Sequence, residues 1–132
     1  IYDEAIGFAN KWYPQGFERA EDYQLDENLS VRIFAPVYFL ASKLEAFKSR
    51  GQYDGRTSKD FEDIIFLLEN RSLIWQEMES AEDDVKEYLK MELGVILKIP
   101  FVEEWVDSHA GYGVIPATAF ILDSMQKFVN EG

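Results

Sequence analysis

Cysteine is absent from these 132 residues. That excludes a disulfide framework and thiolate metal sites, and it is the usage expected of an intracellular, cytoplasmic protein. Histidine occurs once, at His109. A lone imidazole with no spaced partner argues against a histidine metal site or a catalytic triad, and a surface or helix-C-terminal place is expected for it. No apolar run approaches the roughly 18–20 residues that span a bilayer. No basic region followed by an apolar stretch opens the chain, so no signal peptide and no membrane partner are expected. Bases are scarce, 13 lysines and arginines against 25 acids, for a net charge of −12. Phosphates would be repelled over most of such a surface, which argues against direct nucleic-acid binding and leaves a basic partner protein or a divalent cation as electrostatic options. Also missing are a P-loop, a G-x-G-x-x-G turn and a G-x-S-x-G elbow, and with them the commonest nucleotide cradles and the serine-hydrolase setting.

What is present is a globular composition. Apolar residues make up 47% and aromatics 15%, enough for one domain with a real core. The expected organisation is a single domain over 1–132, with a strand and hairpin portion at 1–35 and a helical portion at 36–132. The chain opens at Ile1 and not at Met, which is consistent with a processed product or a fragment.

Ala5–Phe8 could form a short strand. A helical turn follows through Trp12, Tyr13 and Phe17, with Pro14 tolerated in its first turn. Tyr23–Leu25 and Val31–Phe34 flank Asp26-Glu27-Asn28 and predict a hairpin. Pro36 opens a helix in which Val37, Leu40, Ala41, Leu44, Phe47 and the stem of Lys48 share one face. Gly51 is its expected cap, Gln52–Thr57 a polar loop with an Asp54-Gly55 turn, and Ser58 the N-cap of the next helix. There Phe61, Ile64, Ile65 and Leu68 face inward. Asn70-Arg71-Ser72 breaks the pattern before a short helix with Leu73, Ile74, Trp75 and Met78. Ser80 is expected to cap a long helix with Val85, Tyr88, Leu89, Leu93, Ile96 and Leu97 inward, ended or kinked by Pro100. Phe101–Val106 continues, Gly111 and Gly113 punctuate, and Pro116 opens a last helix marked by Phe120, Ile121, Met125, Phe128 and Val129. The fold class is α+β, mostly helical, with a short hairpin region near the N-terminus.

The charged residues between Lys43 and Asp63 carry most of the chemical interest. Lys43 and Arg50 lie seven apart on the flank of their helix's apolar stripe. Asp60 and Asp63 lie three apart on one flank of the following helix. Two carboxylates at that spacing beside a cleft can hold a divalent cation or orient a hydroxyl, while the two cations meet phosphate oxygens. The same residues can equally pair with one another across two ordinary amphipathic helices, with Asp60 serving the helix dipole, and spacing leaves both readings open. Glu92 falls among apolar positions. Buried, it would need a partner, but a slight rotation makes it an edge residue, which is the expectation here.

The blocks Ile6-Gly7-Phe8-Ala9-Asn10-Lys11-Trp12-Tyr13, Ala35-Pro36-Val37-Tyr38-Phe39-Leu40-Ala41-Ser42-Lys43-Leu44-Glu45-Ala46-Phe47, Arg50-Gly51 and Ser58-Lys59-Asp60-Phe61-Glu62-Asp63-Ile64-Ile65 resemble the AbiEii-type nucleotidyltransferases. These belong to the DNA polymerase β-like superfamily, and many are toxins of toxin–antitoxin or phage-defence systems. The resemblance covers nearly the whole chain, more loosely in the later helices. It implies magnesium-dependent transfer of a nucleotide from a nucleoside triphosphate. It implies that Lys43 contacts the triphosphate and that Asp60, or alternatively Asp63, is the acid of the last motif. Lys59 and Arg56 match basic positions nearby. The family's Gly-Ser strand and Asp-x-Asp pair, which hold the magnesium ions, lie upstream of the segment present here, and strand Val31–Phe34 has no third acid. A truncated, catalytically incomplete nucleotidyltransferase is the resulting expectation. A partner-binding or dimerisation module derived from that fold is the alternative.

Overall fold

A computed structural model describes residues 10–50, 58–110 and 117–131. Within them the chain forms α1 (Tyr13–Glu18), β1 (Glu21–Asp26), β2 (Leu29–Ile33), α2 (Pro36–Arg50), α3 (Lys59–Asn70), α4 (Ile74–Glu79), α5 (Asp83–Leu97), α6 (Val102–His109) and α7 (Ala117–Glu131). The Ala5–Phe8 strand, the Gly51 cap, the Gln52–Thr57 loop, the glycines 111 and 113 and the Pro116 helix start lie outside the described residues.

The hairpin forms where the two β-prone runs flank the Asp-Glu-Asn turn. β1 and β2 pair antiparallel, with Glu21 opposite Ile33 and Tyr23 opposite Val31, and the register slips between Gln24 and Asp26. One extra residue on β1 near the turn absorbs the slip, as a bulge does. No third strand joins the pair among the described residues.

Helix α2 is the hub. It packs against α1, α3, α4 and α5, and its buried set is wider than the single stripe predicted from the sequence. Tyr38 and Ala46 are buried along with Val37, Leu40, Ala41, Leu44 and Phe47. A helix covered on several sides has little solvent face, so its polar residues fall in the seams with its neighbours, Lys43 toward α3 and Glu45 and Lys48 toward α5. Proline at its first position costs nothing, because that N–H has no intrahelical partner. Helix α3 opens on Ser58, whose hydroxyl accepts from the Phe61 amide at 3.1 Å. Its buried face is Phe61, Ile64, Ile65 and Leu68, and the Phe61 ring lies 5.2 Å from Phe47 and 6.0 Å from Trp105, centroid to centroid. Each such side chain removed from water contributes on the order of 1.5–3 kcal/mol.

Two expectations are corrected, the Ser80 cap and the edge placement of Glu92. Ser80 does not cap α5: it is the C-cap of α4, and Glu82 occupies the N-cap position of α5 without a side-chain cap bond. The turn between α4 and α5 is two residues longer than the capping pattern assumed, and Glu82 is engaged elsewhere. Phe120 faces solvent at 55% exposure, while Ile121, Met125 and Phe128 face the core. The phase of α7 is set by its packing on α5 and α6. Glu92 is buried, at 5% exposure.

At the other end of the chain, Asn10 ties α1 to α2. Its amide nitrogen donates to the Ser42 carbonyl at 2.8 Å, and its side-chain oxygen accepts from the Trp12 amide at 3.1 Å. Asn10 is buried, and both bonds offset the cost of taking its amide out of water.

Candidate functional site

The α2–α3 pair brings the sequence-predicted charged residues together. The Lys43 ammonium lies 2.9 Å from Oδ2 of Asp63 and 3.5 Å from Oδ1 of Asp60. The helix carrying the acids is placed by the Ser58 cap and by Phe61, the residue between them that inserts into the core. Asp60 sits in the first turn of α3 and is buried, where an acid suits the positive end of the helix dipole. Asp63 is half-buried and has a second cation, Lys59, 3.7 Å from its other oxygen. Lys59 also meets Glu62 at 3.2 Å, and that hydrogen bond raises its pKa above the ordinary value. Lys43 keeps 24% of its side chain exposed and lies 5.5 Å from the centre of the Phe39 ring. The ammonium is therefore shared between two carboxylates at the rim of the core, within reach of solvent. Arg50 is the last residue of α2; its side chain and Arg56 lie outside the described residues.

Chemically, such a cluster offers one ammonium that can turn toward an anion and two carboxylates that can accept protons or hydrogen bonds. Asp60 and Asp63 both contact the Lys43 ammonium, and among the described residues no group of three or more histidines or acids could by itself hold a metal ion. No Asp-x-Asp occurs in the sequence.

A second polar cluster, between α2 and α5, went unrecognised in the sequence. The Tyr88 phenol donates to Oε1 of Glu45 at 2.6 Å. The Lys48 ammonium stands 3.4 Å from Glu45 and 3.4 Å from the buried Glu92. Lys11 lies 4.3 Å above the Tyr88 ring, and the Trp12 ring is 5.0 Å from it. Burial, then the bond to Glu45 and its charge, push the Tyr88 phenol far above its ordinary pKa. The available signal was a pair of facing spacings: Glu45 and Lys48 three apart on α2, Tyr88 and Glu92 four apart on α5.

A third cluster closes the α1 end. Arg19 forks onto Glu82, with Nη2 at 2.9 Å from Oε2 and Nε on Oε1, and the Tyr38 phenol donates to the same Oε1 at 2.6 Å. The Arg19 and Tyr38 bonds hold the Glu82 carboxyl below its ordinary pKa, while burial and the Glu82 bond raise Tyr38. Gln15 donates to Asp84 at 2.9 Å, lowering that carboxyl as well.

His109 stands in the last turn of α6, as its position after a helical run suggested. Its ring lies 5.8 Å from Phe61. Among the described residues no helix is long and apolar enough to cross a membrane. No protein-family model matches this chain, and no curated protein or solved structure matches it either.

Proposed function

We propose that this chain is part of a nucleotidyltransferase-like protein of the toxin or defence type, in which Lys43 on α2 and Asp60 and Asp63 on α3 form one wall of a triphosphate site. The observation that carries the reading is the convergence of these three residues, 17 and 20 positions apart, on one ammonium at 3.5 and 2.9 Å. They are the positions at which the sequence resembles the AbiEii-type enzymes. Lys43 is the residue for the phosphate oxygens, because its head is solvent-accessible while its stem lies on the core edge. Asp60, buried beside the cation, is the candidate acid for the acceptor.

By itself the chain is expected to bind a nucleoside triphosphate weakly and to transfer nothing. The Asp-x-Asp pair that the resemblance calls for is not in these residues, so the developing phosphoryl charge lacks a neutralising clamp. Calorimetry with ATP and GTP tests binding: heat should be lost in Lys43→Ala. Incorporation of labelled nucleotide by the purified chain with magnesium tests transfer, and a positive signal would overturn the proposed incompleteness.

A non-catalytic module that binds a partner or a second copy is the second reading. The β1–β2 hairpin, with Leu29 half exposed near its turn, is the surface such a partner would meet, since hairpin strands can pair with another chain. Sedimentation as a monomer, together with unchanged oligomeric state on mixing with basic proteins, would count against it.

A further inference from the structure

Asp63 differs from Asp60 in a way the triphosphate reading does not use. Asp60 is buried, and Lys43 supports its charge. Asp63 is only half-buried and is flanked by two cations on opposite oxygens, Lys43 at 2.9 Å on Oδ2 and Lys59 at 3.7 Å on Oδ1. The shortest contact of the Lys43 ammonium is thus to Asp63, which also has Lys59 within reach. Asp60 and Asp63 stand one helical turn apart on α3, so the ammonium can keep Asp60 while leaving Asp63.

We infer that Asp63 is a gate on Lys43: in the free chain it holds the ammonium, and an incoming polyphosphate must take the ammonium from it while Lys59 closes on the vacated carboxylate. The inference rests on the triphosphate reading and adds to it what sets the affinity. A phosphate dianion competes with a carboxylate for the same donors and is the stronger acceptor. The exchange preserves the charge count, because Asp63 passes from one lysine to the other. Lys59 is nearly free of burial, with 75% of its side chain exposed, so it can swing without disturbing the core. Glu62 already draws Lys59 to that side of the helix, at 3.2 Å. The gate also sets selectivity. A singly charged anion does not repay loss of the Asp63 pair, whereas a polyphosphate can.

The test is calorimetric titration of the intact chain with inorganic tripolyphosphate. Asp63→Asn keeps the shape and removes the hold on Lys43; affinity should rise about two- to fivefold, the worth of a partly exposed ion pair. Glu62→Gln removes the same formal charge from the same helix without touching Lys43, and should raise affinity by distinctly less. In a Lys43→Ala background the gain from Asp63→Asn should vanish, as coupling between the two residues requires. If the wild type binds and Asp63→Asn leaves affinity unchanged, or Glu62→Gln tightens it equally, the gate is wrong and the triphosphate reading survives. If neither the wild type nor Asp63→Asn binds tripolyphosphate, both fall together.

Discussion

The Tyr88 phenol and the Glu45 carboxylate meet at 2.6 Å across the α2–α5 interface, 43 residues apart in the chain. Lys48 links this pair to the buried Glu92, so two helices of the core are joined by a short chain of charge-assisted bonds. Removing one member leaves the others desolvated without their partner, which costs more than the pair itself contributes. Tyr88→Phe should destabilise the fold by about 1–2 kcal/mol in denaturant titration. Lys48→Ala, which takes an ion pair from the buried Glu92, should cost about 1–3 kcal/mol. Lys59→Ala, on an exposed side chain, should leave the midpoint unchanged. An equal effect of the two lysine substitutions would refute the weight given to burial.

Gly16 owes its place to Phe34. A Cβ at Gly16 would sit 2.4 Å from Cε2 and 2.6 Å from Cδ2 of that ring, and the ring is itself fixed by edge contacts with Tyr13 and Phe17 at 6.0 and 4.9 Å. Alanine gains about 1 kcal/mol of helix propensity over glycine. The clash costs about 1–3 kcal/mol in a packed site. Gly16→Ala should therefore be neutral to destabilising alone, and stabilising in a Phe34→Ala background. Thermal melts of the four proteins of that cycle decide it.

The two shifted tyrosines give an alkaline signature. The Tyr38 and Tyr88 phenols have pKa values raised above the ordinary 10.0 by burial and by bonds to carboxylates. A group raised in the folded state contributes stability that is fully present below its unfolded value and is lost as pH climbs beyond it. Stability should therefore fall above about pH 10, and ultraviolet titration should show these two phenols ionising late, together with unfolding. Glu82 gives the opposite sign. Arg19 and Tyr38 lower its pKa below 4.5, so its contribution is present above that value and lost as pH falls beneath it. Glu82→Gln should flatten the acid limb of the stability profile.

Phe61 is the pivot between the core and the charged cluster, flanked in sequence by Asp60 and Glu62 and in space by Phe47, Trp105 and His109. Phe61→Ala should cost about 3–5 kcal/mol. It should also weaken the triphosphate binding proposed for Lys43 by loosening α3, whereas Phe66→Ala, on the exposed face at 67%, should do neither. Chemical denaturation with parallel calorimetry separates the two effects.

By itself the sequence determined what depends on local chemistry and periodicity. The Pro36 start and the Ser58 cap, the Asp-Glu-Asn hairpin turn, and the inward faces of α2, α3 and α5 follow from capping bonds and the 3.6-residue repeat, which act within a few residues. Spacing also put Lys43, Asp60 and Asp63 on flanks that could meet. Only the tertiary structure decided that they do meet, and that Lys43 is shared between both acids. It alone turned Glu92 inward to Lys48, turned Phe120 outward, and moved the start of α5 from Ser80 to Glu82, where Arg19 and Tyr38 hold the carboxylate. Each of these depends on a rotation of a helix by a fraction of a turn against a neighbour distant in sequence. Periodicity fixes which residues share a face, but the packing of α2, α5 and α7 fixes where that face points.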